Sequence, residues 1–205
     1  MAQFTDATLF PSFDDLPEFG IPDGLFLAFD TCEPTRHWCF VGEIASISFV
    51  ERPRVSVKLS PDRTIVVESN SVSSPTTFAW TDLRPGNSIA ILYATRRILS
   101  DGSFGIRADD LGCVTIFRAG LEQVTSYGAK LTRKQRECFH HKCARKSGLI
   151  VDTRMGNGAA YCSASHQIEG FLAHRFLYAQ SQDIKWLLTV LPLRFRSPYV
   201  FASLE

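Results

Sequence analysis

VSVKLSPDRTIVVE, residues 55–68, decides how the first half of the chain is read. Val55, Val57 and Leu59 alternate with Ser56 and Lys58, a period of two that turns one side of an extended strand to a core and the other to water. Ser60-Pro61-Asp62-Arg63 is a turn, and the chain returns through Ile65-Val66-Val67, so the stretch predicts a β-hairpin.

The pattern extends in both directions. Upstream, Trp38 to Val50 predicts a longer strand with Gly42 as a bend or bulge. Downstream, a polar insert at Asn70 to Thr77 precedes the turn Arg84-Pro85-Gly86-Asn87 and the almost wholly apolar strand Ser88 to Ala94. Ser100-Asp101-Gly102-Ser103 turns into Phe104 to Arg107, and Val114, Ile116 and Phe117 finish the series. Short strands with turns between them predict a small antiparallel β-barrel over residues 25–118, OB- or SH3-like. LRPGNSIAILYA, residues 83–94, resembles the entry to a late strand of an OB-fold.

Around this barrel the composition changes. Residues 1–24 hold Pro11, Pro17 and Pro22 with acidic residues between isolated phenylalanines, and read as an irregular lead partly docked on the body. Residues 119–137 place Leu121, Val124 and Leu131 among charged neighbours, which predicts a connecting helix weakened by Gly128. Residues 138–180 form a helical, loop-rich module, and residues 181–205 an apolar tail, so the fold class is α+β.

With 205 residues, 45% apolar and 21% charged, and a net charge of +1, the chain is an ordinary globular protein with no bulk bias toward nucleic acid or membrane. Asp6, Asp14, Asp15, Glu18 and Asp23 near the start argue against a secretory signal. No apolar run reaches the roughly 18 residues of a membrane span; Trp186 to Leu193 is short and contains Pro192. The expectation is an intracellular chain, nuclear or cytoplasmic, whose six cysteines stay reduced.

Those cysteines are unevenly placed. Cys32, Cys39 and Cys113 are scattered, whereas Cys138, Cys143 and Cys162 gather near His140, His141, His166 and His174. Zinc takes four soft or borderline ligands in a tetrahedron, commonly as two local pairs brought together by a loop. Cys138 and Cys143 make one pair, Cys162 and His166 the other, and Gly148, Gly156, Asn157 and Gly158 supply the loop between them. His141 is an alternative ligand, and the competing reading is three buried core thiols with His166 on a helix surface.

YCSASHQIEGFLAHRFLY, residues 161–178, resembles the second half of a MYND-type zinc finger. Tyr161, Cys162, Ser163, Gln167 and His174 match that pattern in register; His166 stands at a cysteine position, Phe171 at the tryptophan, Arg175 at the lysine and Tyr178 at the last cysteine. The family holds two interleaved zincs. The second cysteine pair is missing here and Tyr178 offers no thiolate, so the resemblance implies one ion, with His174 vestigial. It also implies recognition of short proline-containing peptides of partner proteins, with Gln167 and Phe171 facing the peptide; the alternative for Phe171 is a core position. Residues 83–117 are similar to a segment preceding the finger in a set of fungal proteins of this family.

No dinucleotide, phosphate-loop, metalloprotease or serine-nucleophile motif is present, so no enzymatic activity is expected. A His-metal nuclease using His140 or His141 lacks a telling second carboxylate or asparagine. Nucleic-acid binding is the stronger alternative. It would use the basic segment 130–146 (Lys130, Arg133, Lys134, Arg136, Lys142, Arg145, Lys146) and barrel aromatics Trp80, Tyr93 and Phe104, each of which is equally a core candidate.

Overall fold

Strands β1 (Cys39–Ser48), β2 (Arg54–Ser60) and β3 (Arg63–Ser69) form an antiparallel meander, in a computed structural model that describes residues 2–49, 52–69, 80–132, 138–140, 142–143, 150–151 and 160–201. The predicted hairpin is β2–β3, with Val55, Val57, Ile65 and Val67 all buried on its inner face. Strand β4 (Ser88–Leu92) returns antiparallel along β1. Strands β5 (Arg96–Ile98) and β6 (Phe104–Ala108) make a hairpin, β6 lies parallel to β3, and β7 (Val114–Phe117) pairs antiparallel with β4. The predicted insert at Asn70 to Thr77 lies outside the described residues.

The sheet order is β5-β6-β3-β2-β1-β4-β7. Laid flat, β6 and β7 would stand five strand spacings apart, about 24 Å. Residues 109–113 alone join them, and Leu111–Cys113 of that link is wound into a 3-10 turn. Six steps of chain reach roughly 20 Å fully extended and less when wound. The sheet therefore curls until its ends meet, with β6 and β7 acting as two halves of one closing strand. This corrects the expected antiparallel arrangement. Five strand positions in a ring cannot alternate direction all the way round, so one neighbouring pair must be parallel; that pair is β3–β6.

Inside the ring, Trp38, Phe40, Ile44, Val57, Ile89 and Ile106 belong to one core. Gly42 faces it: a Cβ there would lie 2.3 Å from Val57 Cγ1. The expected irregularity of β1 falls not at Gly42 but between Ile44 and Ser46, where the register against β2 shifts. The lead is irregular, as expected, yet Phe13 and Leu16 are buried in the same core, and Leu9 and Pro17 accept the backbone N–H groups of Cys39 and Arg96.

A second core covers the outside of the barrel. All five residues of β4 are buried, because Ile89 and Ile91 point inward while Ala90 and Leu92 join the outer core. The expected connecting helix is α1 (Leu121–Thr132), which brings Val124 and Tyr127 to that face. Glu43 on β1 accepts the Leu121 N–H at 3.4 Å and ion-pairs with Lys58 at 2.7 Å, and the lysine holds its carboxyl below the ordinary value. Gly128 leaves room for the Phe4 ring, since a Cβ there would sit 2.4 Å from it. The apolar stretch beyond residue 180 begins as helix α3 (Ser181–Val190), whose Ile184, Leu187 and Leu188 fill the same core. Strands β8 (Ile150–Val151) and β9 (Ala160–Tyr161) pair with each other ahead of helix α2 (Ala164–Ala179). Among the described residues no helix is long and apolar enough to cross a membrane.

After α3 the chain runs back across the barrel. The amide of Tyr199 donates to the Tyr93 hydroxyl, and that of Phe201 to the Gly112 carbonyl. Under this segment lies His37, fully buried, its Nδ1 2.7 Å from the Tyr93 hydroxyl and its ring stacked on Tyr199 at 4.6 Å. Burial holds the imidazole below the ordinary histidine value of 6.5, outweighing the opposite pull of the Arg194 backbone. The folded state thus favours neutral His37, and the unfolded state binds the extra proton on acidification. The contribution to stability is complete above the ordinary value and is lost as pH falls through it. Hydrogen exchange at Tyr199 and Phe201 should accelerate between about pH 7 and about pH 5 after correction for intrinsic rates. His37→Phe should flatten that dependence; unchanged protection in the native chain across this range would refute it.

Candidate metal centre

The centre is assembled from two short pieces of backbone. Cys138 and Cys143 flank a tight turn, closed by the Cys143 N–H donating to the His140 carbonyl at 3.0 Å. The Phe139 N–H donates to the Ala160 carbonyl at 2.8 Å, which fastens this turn to β9. Phe139 packs edge-on against Tyr127 of α1 and against Tyr161, so the turn is continuous with the outer core. Cys162 follows β9 directly. Ser163 is the N-cap of α2: its Oγ accepts the His166 N–H at 3.3 Å and its carbonyl accepts the Gln167 N–H. The cap fixes the first turn of α2 and places His166 beside Cys162.

The four predicted ligands come together. The donor atoms of Cys138, Cys143, Cys162 and His166 all lie within 4.8 Å of one another. Cys143 Sγ is 3.7 Å from Cys162 Sγ; His166 Nδ1 is 3.7 Å from Cys138 Sγ and 3.2 Å from Cys162 Sγ. Zinc bonds of about 2.3 Å to sulfur and about 2.0 Å to nitrogen imply tetrahedral edges of about 3.8 Å for S–S and about 3.6 Å for S–N. Two of these separations lie near the tetrahedral edges and the third is shorter, so the four donors could hold one metal ion. Burial and then the neighbouring thiols of Cys143 and Cys138 raise the Cys162 thiol above its ordinary value. A divalent cation reverses that cost by stabilising the thiolates.

The remaining cysteines differ. Cys39 is fully buried in the outer core, with its thiol pushed far up by burial, and burial takes Cys113 to about 12. Neither belongs to the cluster, nor does Cys32. His141 lies outside the described residues; His174 falls within α2, but its side chain is not among those described. Gln167 is half-buried, and Phe171 is 43% exposed, which removes the core alternative for it.

Two neighbours of the cluster have roles the sequence did not suggest: it offered His140 only as a nuclease candidate and Glu169 not at all. His140 is buried, stacks on His166 with centroids 4.4 Å apart and planes 8° apart, and its Nε2 meets Glu169 Oε2 at 2.9 Å. The available signal was the spacing of Glu169 three residues after His166, which puts both on one helix face.

No family model matches the chain, and no curated protein matches it. Among solved structures, a chain in the crystal structure of the S. pombe Stn1-Ten1 complex is similar at 16% identity and a TM-score of 0.33, over 54% of this chain and 77% of that one.

A metal that joins residues far apart in sequence should be felt as local stability. Structural zinc contributes on the order of 10–16 kcal/mol apparent in finger peptides at neutral pH. Chelation, or Cys162→Ser, should remove hydrogen-exchange protection from Tyr161, Gln167 and their neighbours. Strands β1–β7 and helix α3 should stay protected, because the two apolar cores hold them. Equal protection around Tyr161 with and without chelator would mean that packing alone orders the segment.

Proposed function

We propose that the chain is a zinc-stabilised protein-interaction module without catalytic activity, in which an OB-type barrel carries a degenerate MYND-like finger. The observation that supports zinc is the Cys138, Cys143, Cys162 and His166 donor set, gathered within 4.8 Å. The OB assignment is supported by the connectivity: a three-strand meander, a fourth strand back on the first, and a closing strand parallel to the third.

The interaction surface lies on α2. Ile168, Phe171 and Leu172 are 61%, 43% and 59% exposed and recur at helical spacing on one side of the helix whose first turn supplies His166. A metal bound at His166 would fix this ridge against the rest of the module. A short proline-containing peptide suits such a shallow apolar ridge, which Gln167 borders.

Nucleic-acid binding through the barrel is the second reading, favoured by the exposure of Phe104 and Phe49. Of the other aromatics proposed for it, Tyr93 packs against both cores and bonds to His37 and Tyr199. The nearby arginines are paired with acids: Arg54 with Asp101 and Glu68, Arg97 and Arg107 with Asp109. That pairing leaves little charge to release counterions. Arg133, Lys134, Arg136, Arg145 and Lys146 lie outside the described residues. A nuclease role for His140 fits poorly with its burial and its bond to Glu169.

Binding to a panel of proline-containing peptides and to single-stranded DNA separates the two readings. Peptide binding should weaken roughly tenfold on Phe171→Ala and change little between about 50 and 200 mM salt. Affinity for DNA falling by about a thousandfold over that salt range, with no effect of Phe171→Ala, would replace this reading with the second.

A further inference from the structure

We infer that His140 is a positioning residue of the metal centre, holding the His166 imidazole with Nδ1 toward the three thiols; this rests on the reading of the cluster as a zinc site. Three observations point to it. The His140 ring is buried, lies against the ring of His166 at 4.4 Å, and is within 8° of parallel to it. Its Nδ1 accepts the Lys142 N–H at 3.3 Å, so the ring proton sits on Nε2, which donates to Glu169 Oε2 at 2.9 Å. Both nitrogens are engaged, and His140 is not one of the four clustered donors.

The arrangement answers a specific problem. A histidine ligand on the first turn of a helix has two side-chain torsions, and rotation of the ring would withdraw Nδ1 from the thiols. The flat face of His140 restricts that rotation. His140 in turn belongs to the backbone turn that carries Cys138 and Cys143, and Glu169 belongs to the helix that carries His166. Each ligand pair therefore supplies half of the clamp on the other. Glu169 is 60% exposed, so its contact with His140 is screened and secondary; the buried ring contact carries the effect.

Outer-shell groups of this kind change metal affinity by about 10- to 100-fold. The test uses the full chain. Zinc affinity is measured by competition with a chromophoric chelator, and geometry by the visible absorption of the Co2+-substituted protein. His140→Ala should still bind one ion, but about 10- to 100-fold more weakly, with shifted Co2+ bands. His140→Phe, which keeps a flat ring and cannot ligate, should return affinity to within about fivefold of wild type and restore the bands. Glu169→Ala should cost less than about fivefold. A purely structural role would lower thermal stability in His140→Ala without moving the Co2+ bands, and would overturn the inference. So would wild-type affinity and spectrum in that variant. Loss of all binding in both His140→Ala and His140→Phe would make His140 a ligand instead. Wild-type protein that takes up no zinc would overturn the zinc reading and this inference together.

Discussion

Strand Ser88–Leu92 is buried on both faces, with Ile89 and Ile91 turned into the barrel and Ala90 and Leu92 turned out beneath the helices. In most small barrels a strand serves one core and shows its other face to water. Here the outer face is apolar and demands cover, and α1 and α3 supply it. Full burial of an apolar side chain stabilises by about 1.5–3 kcal/mol, so this strand contributes to two cores at once. The turn with Cys138 and Cys143 reaches that outer core by way of Phe139 and Tyr127. The doubly covered strand thus shares its outer core with the turn that carries two of the four clustered donors.

The centre itself joins elements with little regular structure. Strands of two residues, a tight turn and a capped helix start meet there. Such pieces carry few backbone ladder bonds, and an ion held by the four donors would couple them through one point. The stacked histidines extend that coupling beyond the ligands, since the clamp spans both backbone pieces.

Much of this was legible in the chain. The hairpin at 54–69 announces itself by alternation, and the ligand quartet by paired spacing, because both depend on residues close in sequence. Strand β4 was legible as apolar, though only the outer core explains why it fails to alternate. Strand β5 was not read: Arg96-Arg97-Ile98 has no period and sits at the sheet edge. The parallel β3–β6 pairing was invisible because it follows from ring closure rather than from any local pattern. Helix α3 reads as a tail in the sequence because its apolar run stops at Pro192, whereas its burial depends on a strand about ninety residues earlier in the chain. His140 and Glu169 became meaningful only once two distant segments lay ring to ring.

The amide of Ala2 donates to the Leu188 carbonyl, and Ala2 and Leu188 share the outer core. In kinetic terms the two cores mature on different schedules. Residues from Phe13 to Ile116 contain everything the inner core needs and can collapse as soon as they leave the ribosome. The outer core must wait for α3, leaving the apolar faces of β1 and β4 uncovered through the synthesis of the intervening segment, several seconds at about 5–20 residues per second. Nascent chains are therefore exposed to misassociation through Leu92 and Phe117 during a defined interval. An ion captured by Cys138 and its partners near the end of that interval would shorten the effective loop that must close before α3 docks.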